Sequence, residues 1–166
     1  MRLNHWKMTY GEYRGLECTA PCSMYRVLLD HRLIDDPFYG LNELKLTGLS
    51  DHDCVFETEF TVDEETLRRE HVELVFLGLD TLCRIVLNGE AIAETKNMHR
   101  RYIFDVKDRI VAGKNVLRLE FSSPTEYFKA MDNKHFLKTN ADTIPGAAHL
   151  RKAFYMSGWD WGVSQT

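Results

Sequence analysis

Residues 54–62 place Cys54, Phe56, Thr58, Phe60 and Val62 on one side of an extended chain, and Val55, Glu57, Glu59 and Thr61 on the other. A side-chain period of two suits a strand with one buried face; a helix would need apolar positions every three or four residues. The pattern recurs at Val72, Leu74 and Phe76, with Glu73 turned outward. Ile85 and Leu87 then run into Asn88-Gly89, a pair suited to a type I′ turn because both central positions require positive φ. A return strand over 91–95 follows from that turn. Residues 102–106 and 116–121 are two further strands, the second preceded by a turn at Ala112-Gly113-Lys114-Asn115. Short strands separated by turn chemistry predict an antiparallel β-sandwich.

Helices are few and short in this reading. Ser23 caps a helix reaching to about Arg32, with Met24, Val27 and Leu28 on one face. Ser123-Pro124-Thr125-Glu126 has the order of a capping box: serine at N-cap, proline at N1 and glutamate at N3. It opens a helix of about three turns whose apolar side carries Tyr127, Phe128 and Met131. After Asn140 the chain contains Gly and Pro and loses any clear period.

A length of 166 residues fits one domain with its own core. The net charge of −4 and the lack of a basic run exclude a nucleic-acid surface. No apolar stretch reaches membrane-spanning length. Met1-Arg2-Leu3-Asn4-His5-Trp6 has no apolar leader core, so a cytoplasmic protein of bacterial type is expected. Cys18, Cys22, Cys54 and Cys83 fall at irregular spacing, and the histidines form no ligand pair. Reduced, mostly buried thiols are therefore expected, with no metal and no cofactor.

The most distinctive chemistry lies near the end of the chain. Between Gly158 and Gly162, Trp159-Asp160-Trp161 sets a carboxylate between two indoles. An indole face stacks on the C–H face of a pyranose, and a carboxylate accepts hydrogen bonds from neighbouring hydroxyls. Taken alone, such a triplet is more often an aromatic corner of a core, with the aspartate capping a turn. In an extended segment Trp159 and Trp161 would face one way and Asp160 the other, which leaves one indole free to be core while the other meets sugar. Trp159 ranks first for sugar contact.

Several motifs place that triplet in context. Asp36-Pro37-Phe38-Tyr39-Gly40 is followed by Asn42-Glu43. Gly78-Leu79-Asp80-Thr81 precedes the strand that ends in Leu87-Asn88-Gly89, and Asn97-Met98-His99-Arg100 leads into Tyr102. Arg151-Lys152 precedes Gly158-Trp159-Asp160-Trp161-Gly162. In this order, and over nearly the whole chain, the set resembles the N-terminal sugar-binding domain of family 2 glycoside hydrolases, specifically the β-mannosidase branch. The chain departs from the family pattern at Cys22, Cys54, Phe154, Ser157 and Val163, positions where glycine, tryptophan, glutamine, phenylalanine and proline are usual.

The resemblance implies an all-β jelly roll of the galactose-binding type, a single domain over 1–166 that lacks its last strand. It implies a retaining exo-β-mannosidase as the parent, with an immunoglobulin-like domain and a TIM barrel as downstream partners. Both catalytic glutamates would lie in the barrel, so this chain is expected to hold no catalytic residue and to be inactive alone. Asp160, Trp159 and Trp161 would contact a terminal β-mannoside, while Arg151 and Lys152 would pair ionically and position that loop. His99, Arg100, Asp36 and Glu43 are read as structural. Competing readings are a free-standing carbohydrate-binding module, or a docking domain of a β-galactosidase or β-glucuronidase relative. An exposed strand edge would favour self-association of the fragment.

Overall fold

The structure is a computed structural model that describes residues 1–137, 144–156 and 163. It contains β1 (His5–Tyr10), β2 (Tyr13–Thr19), α1 (Met24–Asp30), β3 (Cys54–Val62), α2 (Glu64–Leu67), β4 (Glu73–Phe76), β5 (Leu82–Leu87), β6 (Glu90–Lys96), β7 (Tyr102–Asp105), β8 (Gly113–Phe121) and α3 (Pro124–Asp132). Short 3-10 turns lie between several of them. A six-stranded sheet runs β2-β1-β3-β8-β5-β6, and β4 pairs with β7 in a separate ribbon. Among the described residues every pairing of named strands is antiparallel. The sandwich is as the period of two requires.

β8 lies between β3 and β5 and joins the two halves of the large sheet. It pairs with β3 from Cys54↔Phe121 to Val62↔Gly113, and with β5 from Cys83↔Phe121 to Leu87↔Leu117. One face of this sheet turns inward: Trp6, Val62, Ile85, Leu87, Leu117 and Leu119 pack with Leu79, Val106 and Ile110 beneath the β4–β7 ribbon. At the other end of that face α1 lays Val27 and Leu28 against Met8, Tyr10 and Cys54. Ile85 and Leu117 are wholly buried, and each is worth about 1.5–3 kcal/mol in transfer from water. The outer face carries charge in register, with Glu57 opposite Arg118 and Glu120 opposite Arg84. These are exposed pairs, each worth roughly 0–1 kcal/mol, so the inner face holds the sheet.

Besides the unexpected short helix α2, three details differ from the sequence reading. β1 and β2 form an N-terminal hairpin that it does not contain; β2 is an edge strand with no buried residue, so its alternation is weak. β8 begins at Gly113 rather than at Val116. The turn expected at 112–115 is organised from within the strand by the buried Asn115. Its Oδ1 accepts from the Val111 amide at 2.9 Å, and its Nδ2 donates to the Val111 and Gly113 carbonyls at 2.8 and 3.1 Å. Asn88, at φ 52 in the hairpin, donates to the same Oδ1 at 2.8 Å.

The capping box on α3 is the third. Ser123 Oγ accepts from the Glu126 amide at 3.2 Å, as a cap should. The reciprocal bond is supplied from elsewhere: the Ser123 amide donates to Asp53 Oδ1 at 2.8 Å, while Glu126 pairs with Lys129 at 2.8 Å. Cys54 sits opposite Phe121, so sheet register brings Asp53 beside Ser123, and its carboxylate takes the place Glu126 would have in a capping box.

Candidate functional site

Three motifs far apart in sequence meet at one node beside the start of β5. Residues 78–81 enter β5, residues 97–100 link β6 to β7, and residues 151–153 pass between them. Asn97 and Arg151 form a parallel bridge, and the Met98 amide donates to the Arg151 carbonyl at 3.0 Å. The Ala153 amide donates to Met98 Sδ at 3.0 Å. A Cβ on Gly78 would lie 3.0 Å from the Met98 carbonyl oxygen, so glycine there lets these two segments approach closely without displacing backbone.

The linker at 97–100 is itself held in shape. Asn97 Oδ1 accepts from the His99 amide at 2.9 Å, Tyr102 Oη donates to the Asn97 carbonyl at 2.8 Å, and the Arg100 guanidinium lies 5.5 Å from the centre of the Tyr102 ring. His99 and Arg100 thus lie in a built turn.

Charge enters the node through Lys152. Its side chain is only 10% exposed, and its Nζ donates to Asp80 Oδ2 at 2.6 Å. An ammonium this deeply buried needs an anionic partner. The other carboxylate oxygen of Asp80 accepts from the hydroxyl of Thr81. Thr81 is itself buried, and its carbonyl accepts from Thr95 Oγ1 at 3.1 Å. Arg151 acts differently: its main chain makes the bridge, while the residue is exposed and makes no ion pair among the described residues. Asp80 is absent from the site residues picked out in the sequence. It stood in the Gly78-Leu79-Asp80-Thr81 motif, but its partner lies 72 positions away.

Upstream, the segment over 144–150 is pinned to α3. Ala147, Leu150 and Ile144 pack on Phe128, and His149 Nε2 lies 3.1 Å from Asp132 Oδ1. From this clamp and the node the chain proceeds to Trp159, Asp160 and Trp161, which lie outside the described residues.

A concavity of about 1330 Å³ opens between the two sheets, walled by Trp6, Phe56, Phe60, Leu119 and Phe121, with Asp80, Thr81 and Lys152 also on its lining. Its walls are largely core side chains, which suit apolar contact rather than recognition of hydroxyls. Among the described residues no three His, Cys, Asp or Glu side chains form a metal-binding group. The thiols are not poised as nucleophiles. Burial raises Cys54 and Cys83 to about 12, and burial with Cys22 alongside does the same for Cys18. The node is therefore an anchoring arrangement, with one lysine–carboxylate pair and converging backbone.

Comparison with known proteins agrees with this fold. Residues 6–166 match the family described as glycosyl hydrolase 2 galactose-binding domain-like. The β-mannosidase of Rattus norvegicus is 32% identical over 168 residues, covering 96% of this chain and 19% of the relative. β-Mannosidase A of Emericella nidulans is 32% identical over 89% of the chain and 17% of the relative. The solved β-D-mannosidase of Dictyoglomus thermophilum superposes with a TM-score of 0.92 at 31% identity, over 99% of this chain and 20% of that one. An exo-chitosanase from Amycolatopsis orientalis, at 15% identity and a TM-score of 0.64, shares the fold. The chain thus spans about a fifth of the length of the first two β-mannosidases of this comparison that were solved or curated, at 20% and 19%. With the sandwich, the ordered motifs and this family match all in agreement, the chain belongs to the galactose-binding-like N-terminal domains of glycoside hydrolase family 2, of the β-mannosidase-like kind.

Proposed function

We propose that this chain is the non-catalytic N-terminal domain of a retaining exo-β-mannosidase, and that Trp159, Asp160 and Trp161 form one wall of its terminal-sugar subsite. The observation that carries the reading is the likeness to β-mannosidases over 96% of the chain at 32% identity. The residue chemistry supports it. Asp160 supplies a charge-assisted acceptor for sugar hydroxyls, and an indole supplies a stacking face. The barrel of a longer chain would supply the two glutamates, one as acid/base and one as nucleophile. In this domain the sandwich provides the rigid support, and the node at Asp80, Met98 and Lys152 anchors the chain that leads to the triplet.

The test separates the parts. The 166-residue chain should give no turnover of an aryl β-mannoside, whereas a longer parent carrying the barrel should hydrolyse it. In that parent, Asp160→Ala should lower kcat/KM by about 10²-fold, the scale for losing a positioned contact to substrate. Turnover by this chain alone, or an Asp160→Ala parent with unchanged kinetics, would remove the proposal.

A further inference from the structure

We propose that Asp80 is a positioning residue: its carboxylate holds the Lys152 ammonium and through it directs the chain that runs on to Trp159, Asp160 and Trp161. The consequence for sugar binding rests on the function proposed above; the geometric claim does not.

Asp80 is well placed for this role because it is held from both sides. Thr81 bonds one carboxylate oxygen, and Lys152 bonds the other at 2.6 Å. Thr81 is tied in turn to β6 through Thr95 Oγ1 at 3.1 Å, so the carboxylate is referenced to the large sheet rather than to a loop. The Arg151 main chain and the Ala153 amide bond to the linker at Asn97 and Met98. Two sets of contacts therefore hold the segment, the linker's main chain and the Met98 sulfur on one side and the Asp80 carboxylate on the other.

The pair also has the energetic character of a direction-setting contact. Desolvating Lys152 cancels much of the attraction, so such pairs add little net stability compared with an apolar replacement of equal volume. What an apolar replacement lacks is directionality. An ammonium facing a fixed carboxylate has one favoured position, whereas methionine in the same space has several.

The 166-residue chain contains three tryptophans, so labelling with 5-fluorotryptophan gives one fluorine signal for each. Trp159→Phe and Trp161→Phe assign two of them, leaving Trp6 as the reference in the core. Asp80→Asn keeps the shape and removes the charge. Its Trp159 and Trp161 signals should move or broaden more than that of Trp6, and the charge-exchanged pair Asp80→Lys with Lys152→Asp should bring them back toward the parent positions. If Asp80→Asn fails to fold, Asp80→Glu keeps the charge and displaces it by one methylene, with the same expectation. Signals for Trp159 and Trp161 that stay in place, or that move no more than Trp6, would overturn the proposal. In the longer parent, Asp80→Asn should raise KM for an aryl β-mannoside more than it lowers kcat. Moved fluorine signals with an unchanged KM would support the positioning role and count against the sugar-subsite reading. A raised KM with unmoved signals would count against positioning.

Discussion

The β3–β8–β5 seam and the closing strip at 151–153 are both tied to the same sheet, yet they differ in what holds them. Along the seam each residue of β8 from Leu117 to Phe121 has strand partners on both sides, and Leu117 and Ile85 are fully buried beneath the ribbon. Loss of one contact there leaves many others. The closing strip has a short parallel bridge, one amide-to-sulfur bond and one ion pair. Redundant packing makes the first region a scaffold; a few specific bonds make the second a fitting whose direction can be altered without unfolding the sheet.

The sharpest way to break that contrast is to cut into the seam. Leu117→Ala removes a side chain with no exposure and should cost about 2–5 kcal/mol, read as a lowered midpoint in urea denaturation. A loss below about 1 kcal/mol, the scale of an exposed site, would mean that the seam is not the scaffold.

Alkaline pH probes the same region at intermediate strength. Burial raises Cys54 and Cys83 from 9.0 to about 12, and Tyr10 from 10.0 to about 12, first through desolvation. A folded-state pKa above the unfolded one means that the folded chain holds its proton more tightly. The stabilisation is thus complete below pH 9, shrinks as the unfolded thiols ionise above it, and is gone once the folded groups titrate near 12. Thermal melting between pH 8 and 11 should show a steady fall that Cys54→Ala and Cys83→Ala make shallower. A flat profile would show that these thiols are not sequestered.

The smallest global effect belongs to the strip. Lys152→Met fills the same space but leaves Asp80 unpaired, and because the Asp80 side chain is 33% exposed water covers part of the loss. Local opening should become easier by about 1–2 kcal/mol, well under the cost of breaking a wholly buried pair. Hydrogen exchange should then quicken about tenfold at the Met98 and Ala153 amides, with no change at Leu117. Equal acceleration at Leu117 would merge the two regions into one cooperative unit.

Much of the scaffold could be read before folding because its signals are local. Alternation from Cys54 to Val62 is the length of β3 residue for residue, and Asn88-Gly89 adopts positive φ at both turn positions, 52° and 85°. Ser23 and Ser123 cap the helices expected of them. Each of these depends on neighbours a few residues away, where periodicity and capping chemistry act. β2 escaped notice because an edge strand without a buried residue has little alternation to show. Asp53 as the partner of the Ser123 amide was equally hidden, since only sheet register brings them together at 2.8 Å.

For the candidate site, sequence alone supplied the ingredients: the indoles and carboxylate of Trp159, Asp160 and Trp161, and the ordered motifs that link the chain to family 2. It also singled out Lys152. Tertiary structure decided what those motifs do for one another, because contacts between residues 80 and 152, or 98 and 151, arise only when the sheet has formed. The reason is physical. Period and turn chemistry act within a few bonds of the chain, whereas an ion pair needs two charges at one point in space, and only the packed sandwich defines that point.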